Sequence, residues 1–93
     1  MVKGKTKSGF EYAYDERVLN DVDLMEAVSD FDAATSKMQQ LSALKKVADL
    51  LLGDAKEDLK AHLAEKNEGF KPFDKYYAEI YEIVNASKEI KNS

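Results

Sequence analysis

Cysteine is absent from these 93 residues. Disulfides and thiolate metal sites are therefore excluded, and the composition suits a reducing cytosol. No stretch approaches the ~20 apolar residues of a membrane span. The N-terminus MVKGKTKSG is basic but has no apolar run after it, so it does not read as a secretory signal. A soluble chain with no membrane partner is expected. There is no glycine-rich phosphate loop, no Walker lysine and no serine elbow. Positive charge is the scarcer sign, with 14 Lys and Arg against 18 Asp and Glu and a net charge of -4. That balance argues against sequence-independent nucleic-acid binding, which draws its affinity from neutralised phosphates. The length allows a single domain with one modest core.

What is present is organised around MQQLSALKKVADLLLGDAKEDLKAHL, residues 38–63. Leu41, Leu44, Val47, Ala48, Leu51 and Leu52 recur on a helical period, and Leu50 widens the stripe. So broad an apolar surface predicts a central helix packed on two or three sides. Ser36 with Gln39 is a capping-box pattern that starts this helix near Lys37. Gly53 is expected to stop it with a left-handed backbone. Asp54 and Glu57 then read as the cap of another helix, whose narrow seam is Leu59 and Leu63.

Ahead of this, residues 2–14 alone have strand character. Phe10, Tyr12 and Tyr14 alternate with Glu11 and Ala13, and Ser8-Gly9 is a turn signal, so Lys3 to Thr6 could pair back as a hairpin. An isolated hairpin is marginal in water, so the aromatic face must lie on the helices or pair with another chain. Lys3, Lys5 and Lys7 read as solvated edge charges or as a weak basic docking patch. Asp15 is a candidate N-cap for a helix carrying Val18, Leu19, Val22, Met25 and Val28, with a restart at Asp21 or Asp23 left open. From Glu11 to Asp32 there are eight acidic residues and one Arg, read as a solvated acidic face or as a surface that meets a basic partner. Asp30 to Thr35, DFDAAT, reads as a loop.

Toward the C-terminus, Asn67 and Gly69 provide the exit of the third helix. Pro72 suits the first turn of the last one. Phe73, Tyr76, Tyr77, Ile80, Ile83, Val84, Ser87 and Ile90 share one side of that helix in a heptad-like spacing. The expected fold is a mainly α domain spanning 1–93, with four to five helices and an N-terminal β-hairpin or strand.

Candidates for chemistry are few. His62 lies one turn after Asp58 and reads as half of an exposed pair. Asp21/Asp23 and Asp30/Asp32 lack the glycine and distant glutamate of an EF-hand loop. No catalytic, metal-ligating or cofactor-binding residue is expected. The Leu52-Gly53-Asp54 junction could open a helix-turn-helix, but AKEDLKAHLAEK places acids among its lysines and has no arginine to read base edges. Tyr77 lies at the edge of the apolar stripe, and Tyr81 points about 110° from its centre. The pair either packs under the N-terminal strand or forms a partner-binding ridge, tyrosine being enriched at contact hot spots. Tyr77, Tyr81, Val84, Phe10 and Tyr12 are the candidate partner-binding residues. A homo-oligomer is expected through the hairpin edge or the last helix.

Several of these segments carry a resemblance. KGKTKSGFEYAYDERVLNDVDLMEAV (residues 3–28), the LLG of 51–53, the helix DAKEDLKAHL and a closing helix rich in Glu and Ile resemble the small tail assembly chaperones of long-tailed bacteriophages and prophages of low-GC Gram-positive bacteria. The resemblance implies a non-enzymatic assembly factor in the cytoplasm of the bacterial host. Its partners would be the tape measure protein, which such chaperones coat, and the tail tube protein, which they deliver. It would leave before the virion is complete. Such proteins are often made in two forms, the longer by ribosomal frameshifting near the end of the gene, and Lys91-Asn92 is compatible with AAA-AAY, the downstream part of a slippery heptamer, if the Ile90 codon ends in A. The competing readings are a small helix-turn-helix DNA-binding regulator and a structural tail adaptor retained in the particle.

Overall fold

The structure is a computed structural model that describes residues 1–92, with side chains through Lys88. Among the described residues the order is β1 (Val2–Lys5), β2 (Glu11–Tyr14), a 3-10 turn (Glu16–Asn20), then α1 (Val22–Ala33), α2 (Lys37–Leu52), α3 (Ala55–Lys66) and α4 (Phe73–Asn92). The fold is mainly α with a two-stranded antiparallel hairpin at its N-terminus.

The hairpin closes within the chain, pairing Val2 with Tyr14 and Lys5 with Glu11. At its tip the Thr6 N–H donates to the Phe10 carbonyl at 2.9 Å, and the Gly9 N–H donates to the Thr6 carbonyl at 2.9 Å. Gly4 faces Tyr12 across the ladder, and a side chain there would overlap the outer end of the Tyr12 ring, so a larger residue would have to displace that ring. The aromatic face lies on the helices: Phe10 and Tyr14 are buried and Tyr12 is half-buried.

Asp15 accepts from the Arg17 N–H at 2.9 Å and caps only the short 3-10 turn. The restart falls at Asp21, whose side chain accepts from the Asp23 N–H at 2.8 Å and opens α1. The buried stripe of α1 differs from the expected one. Leu24, Ala27 and Phe31 face the core, whereas Val22 and Met25 lie on the opposite side in solvent. The loop expected over Asp30–Thr35 is shorter too, because α1 continues to Ala33. Leu24, Ala27, Val28 and Phe31 form an i, i+3, i+4, i+7 stripe, and burying Phe31 extends the helix past the polar residues around it.

Packed against α1, α3, α4 and β2, α2 is the central helix. Its capping box is present, with the Gln39 N–H donating to Ser36 Oγ at 3.2 Å. Leu44, Val47, Ala48, Leu51 and Leu52 are buried as expected, and Ala43 joins them. Leu41 and Leu50 remain exposed at 42% and 39%, which narrows the expected stripe on both flanks. Gly53 ends α2 at φ 58, ψ -129, which is not the left-handed helical conformation. With Asp54 at φ -65, ψ -22, these are the dihedrals of the central pair of a type II′ turn, whose first position glycine supplies without steric cost. Asp54 is already helical and its side chain makes no cap bond, so the second expected capping box is not formed.

Leu59 and Leu63 form the narrow buried seam of α3. Pro72 immediately precedes α4, and its carbonyl accepts the Tyr76 N–H at 3.0 Å. Ile80, Ile83, Val84 and Ser87 are buried along α4, while the side chain of Ile90 lies outside the described residues.

Candidate partner-binding surface

Phe73, Tyr77 and Tyr81 follow one another at i, i+4 on α4, so their rings stand on one face. Centroids are 6.0 Å apart from Phe73 to Tyr77 and 6.3 Å from Tyr77 to Tyr81. Behind this ladder Phe31 of α1 stacks on Tyr77 at 4.8 Å and lies 6.1 Å from Tyr81. Phe31 is 1% exposed and Tyr81 is 46% exposed, so the ladder runs from the core out to water. Offset aromatic contacts of this kind add about 0.5–1.5 kcal/mol each beyond the area they bury. They hold the exposed ring without the rotamer entropy of a flexible side chain. Lys37 Nζ sits 5.4 Å over the Phe73 ring and closes the other end of the ladder.

The five candidate partner-binding residues do not share this surface. Tyr77 and Tyr81 do. Val84 is 1% exposed and Phe10 is 7% exposed, so both are core residues: Val84 turns inward beside Ile80 and Ile83, and Phe10 packs on His62 at 5.7 Å. Tyr12 is half-buried in the hairpin, its ring parallel to that of Tyr14 at 6.1 Å. Burial pushes the Tyr12 phenol up from its ordinary value, with Glu82 adding to the shift, and burial followed by Tyr12 does the same for Tyr14.

His62 is not half of an exposed pair with Asp58. Its Nε2 lies 3.1 Å from Ser8 Oγ at the hairpin tip, and the Ser8 hydroxyl donates to Oε1 of Glu79 on α4. Glu79 is 6% exposed. One turn along α4, Glu82 Oε2 accepts the Lys7 N–H at 2.9 Å. Hairpin, α3 and α4 thus meet through a serine, an imidazole and two carboxylates. In an acyl-transfer triad the carboxylate orients the imidazole, which takes the serine proton. Here the carboxylate takes the hydroxyl hydrogen itself, an arrangement that clamps the hairpin tip. Sequence reading missed this cluster because its contacts span 54 and 71 residues.

Two depressions of opposite sign flank α2. A groove of about 370 Å³ between α2, α3 and the start of α4 is floored by Leu41, Leu44, Phe73 and Tyr76. Four lysines (Lys45, Lys56, Lys60 and Lys71) rim it against a single acid, Asp49. On the α1 side, Asp23, Glu26, Asp30 and Asp49 surround Leu50 against a single Lys46. Tyr76 is pushed up to about 12, first by burial and then by Glu57 and Asp49. Among the described residues no group of three or more His, Asp or Glu side chains could hold a metal ion, and no helix is long and apolar enough to cross a membrane. No family model, curated protein or solved structure matches the chain.

Proposed function

We propose that the protein is a non-enzymatic tail assembly chaperone that binds the tape measure protein and recruits tail tube subunits. It acts in the host cytoplasm and leaves before the particle is finished. The observation that carries the reading is the aromatic ladder. Its inner ring, Tyr77, is half-buried and stacked on Phe31, and its outer ring, Tyr81, stands in solvent. Rigid, partly exposed tyrosines are efficient anchors because they bury a large area while losing little side-chain freedom. An apolar helix of a partner laid along this ridge would be shielded from aggregation in the same way that amphipathic helices are held in grooves. The resemblance of residues 3–28 to the chaperone family supplies the identity of that partner. The helix-turn-helix reading is weakened by the solvent side of α3, where Glu57, Asp58 and Glu65 would face phosphates.

Co-expression with a tape measure fragment tests the proposal. The fragment is expected to become soluble and to co-purify with the protein. Tyr81→Ala should weaken the complex by roughly tenfold or more, the size of an interface hot-spot loss. A fragment that stays insoluble beside well-folded protein overturns the reading. Recovery of the protein in purified virions at structural stoichiometry would replace it with the retained-adaptor reading.

A further inference from the structure

We propose that the free edge of β1 takes up an extended segment of another protein, one in which acidic residues alternate with bulky apolar ones, as a third antiparallel strand. Among the described residues the sheet has two strands, so β1 has a neighbour on one side only. Thr6 fixes which backbone groups of β1 face outward. Its N–H donates to the Phe10 carbonyl and its carbonyl accepts from the Gly9 N–H, so both groups turn inward at a G1-type bulge in which Gly9 has φ 97. Inward and outward positions alternate along an antiparallel ladder. Lys5 stands opposite Glu11, Gly4 opposite Tyr12 and Lys3 opposite Ala13, so Gly4 makes the inward bonds and the lysines do not. Lys3 and Lys5 therefore point their N–H and C=O groups away from β2. A strand laid along this edge finds donors and acceptors already in register, the mode of recognition called β-augmentation.

Side chains select the occupant. Lys3 and Lys5 are exposed on one face of β1, and among the described residues neither is in an ion pair. A residue bonded to either lysine across the new ladder sets its own side chain directly opposite, on the same face. An acid there is attracted and a lysine there is repelled. The position between falls opposite Gly4, on the face that carries Tyr12. The Tyr12 ring leans over Gly4, so a bulky apolar side chain at that position packs against it. Half-buried Val2 continues the same strip two residues along. The lysines also exclude a second copy of this edge. Two β1 strands laid side by side would bond Lys3 to Lys5 in both directions, with like charges opposite each other. The same residues thus reject the identical strand and favour an acidic one. The proposal does not rest on the chaperone reading, since it makes no use of the Tyr77–Tyr81 ridge.

Amide NMR of the full chain tests it, with the end-blocked peptide Thr-Glu-Val-Glu-Val-Thr as the probe. One control replaces both glutamates with lysine. The other keeps the glutamates but N-methylates them, which retains the charge and removes the bonding donors. The acidic peptide is expected to shift the Lys3 and Lys5 amides and slow their exchange, while the Gly4 amide, already bonded to β2, keeps its rate. The lysine peptide should bind at least about tenfold more weakly, because two attractive cross-strand pairs become repulsive. Lys3→Glu/Lys5→Glu should reverse the order of the two peptides, with a circular dichroism melt like that of wild type. An edge that ignores the acidic peptide overturns the proposal, and so does equal binding of the acidic and lysine peptides. Undiminished binding of the N-methylated peptide would reduce the contact to charge alone and discard the added strand. Lys3 and Lys5 amides already protected in concentrated protein without peptide would put a second copy on the edge instead. The comparison of the three peptides on the wild-type chain decides the matter even if the double variant does not fold.

Discussion

Tyr76 shows how one half-buried phenol couples this fold to pH. Its pKa rises from 10.0 to about 12 because burial disfavours the phenolate and because Glu57 and Asp49 repel it. A group whose folded pKa lies above its unfolded one binds its proton more tightly in the native state. The associated stability is complete below pH 10 and is lost as pH rises toward 12. Tyr12 and Tyr14 shift in the same direction and add to the loss. Urea midpoints are therefore expected to fall steeply in this window, and Tyr76→Phe should flatten the fall. A Tyr76→Phe profile parallel to wild type would show that this phenol does not contribute. The presence of Tyr76 on the apolar side of α4 was legible from spacing alone. Its pKa was not, because the two carboxylates come from α2 and α3.

At the scale of elements, α1 is the instructive case. Two stripes can be drawn through residues 18–31, one by Val18, Leu19, Val22, Met25 and Val28 and one by Leu24, Ala27, Val28 and Phe31. Side-chain bulk favours the first, but the helix buries the second, because Phe31 reaches the stack beneath Tyr77 and Ala27 allows α1 to approach its neighbours closely. Phe31 thus fastens α1 to α4. Phe31→Ala is expected to cost about 3–5 kcal/mol, since a buried ring is lost and the stack cannot collapse into its place. It should also release the Tyr81 ring, and a urea melt together with Tyr81 NMR line shapes would register both effects. A loss below about 1 kcal/mol would mean that the stack contributes little. The capping box at Ser36 and Gln39 was readable because it is local. At Gly53 the position of the break was readable and its geometry was not, since several turn types accept glycine there.

Across the whole molecule, two long-range arrangements dominate. One is the clamp in which Ser8, His62 and Glu79 tie the hairpin to α3 and α4. Removing the Ser8 hydroxyl leaves the buried Glu79 without that donor, so Ser8→Ala should cost about 1–3 kcal/mol, whereas Ser8→Ala/Glu79→Met should recover much of it. Hydrogen exchange in β1 and β2 should speed up in the single variant. Unchanged exchange would show that the clamp does not hold the hairpin. The other arrangement is the separation of charge across α2, which places lysines from α2, α3 and the α3–α4 connection around one groove.

By itself the sequence determined the mainly helical class, the hairpin, the central helix and its cap. Each of these depends on residues a few positions apart, where propensity and periodicity act. Only the tertiary structure decided which face of α1 is buried, that Val84 and Phe10 belong to the core, and that His62 meets a serine and a carboxylate. Those outcomes depend on which distant side chains arrive at the same place. Close packing of several elements selects among faces that local patterns leave nearly equivalent.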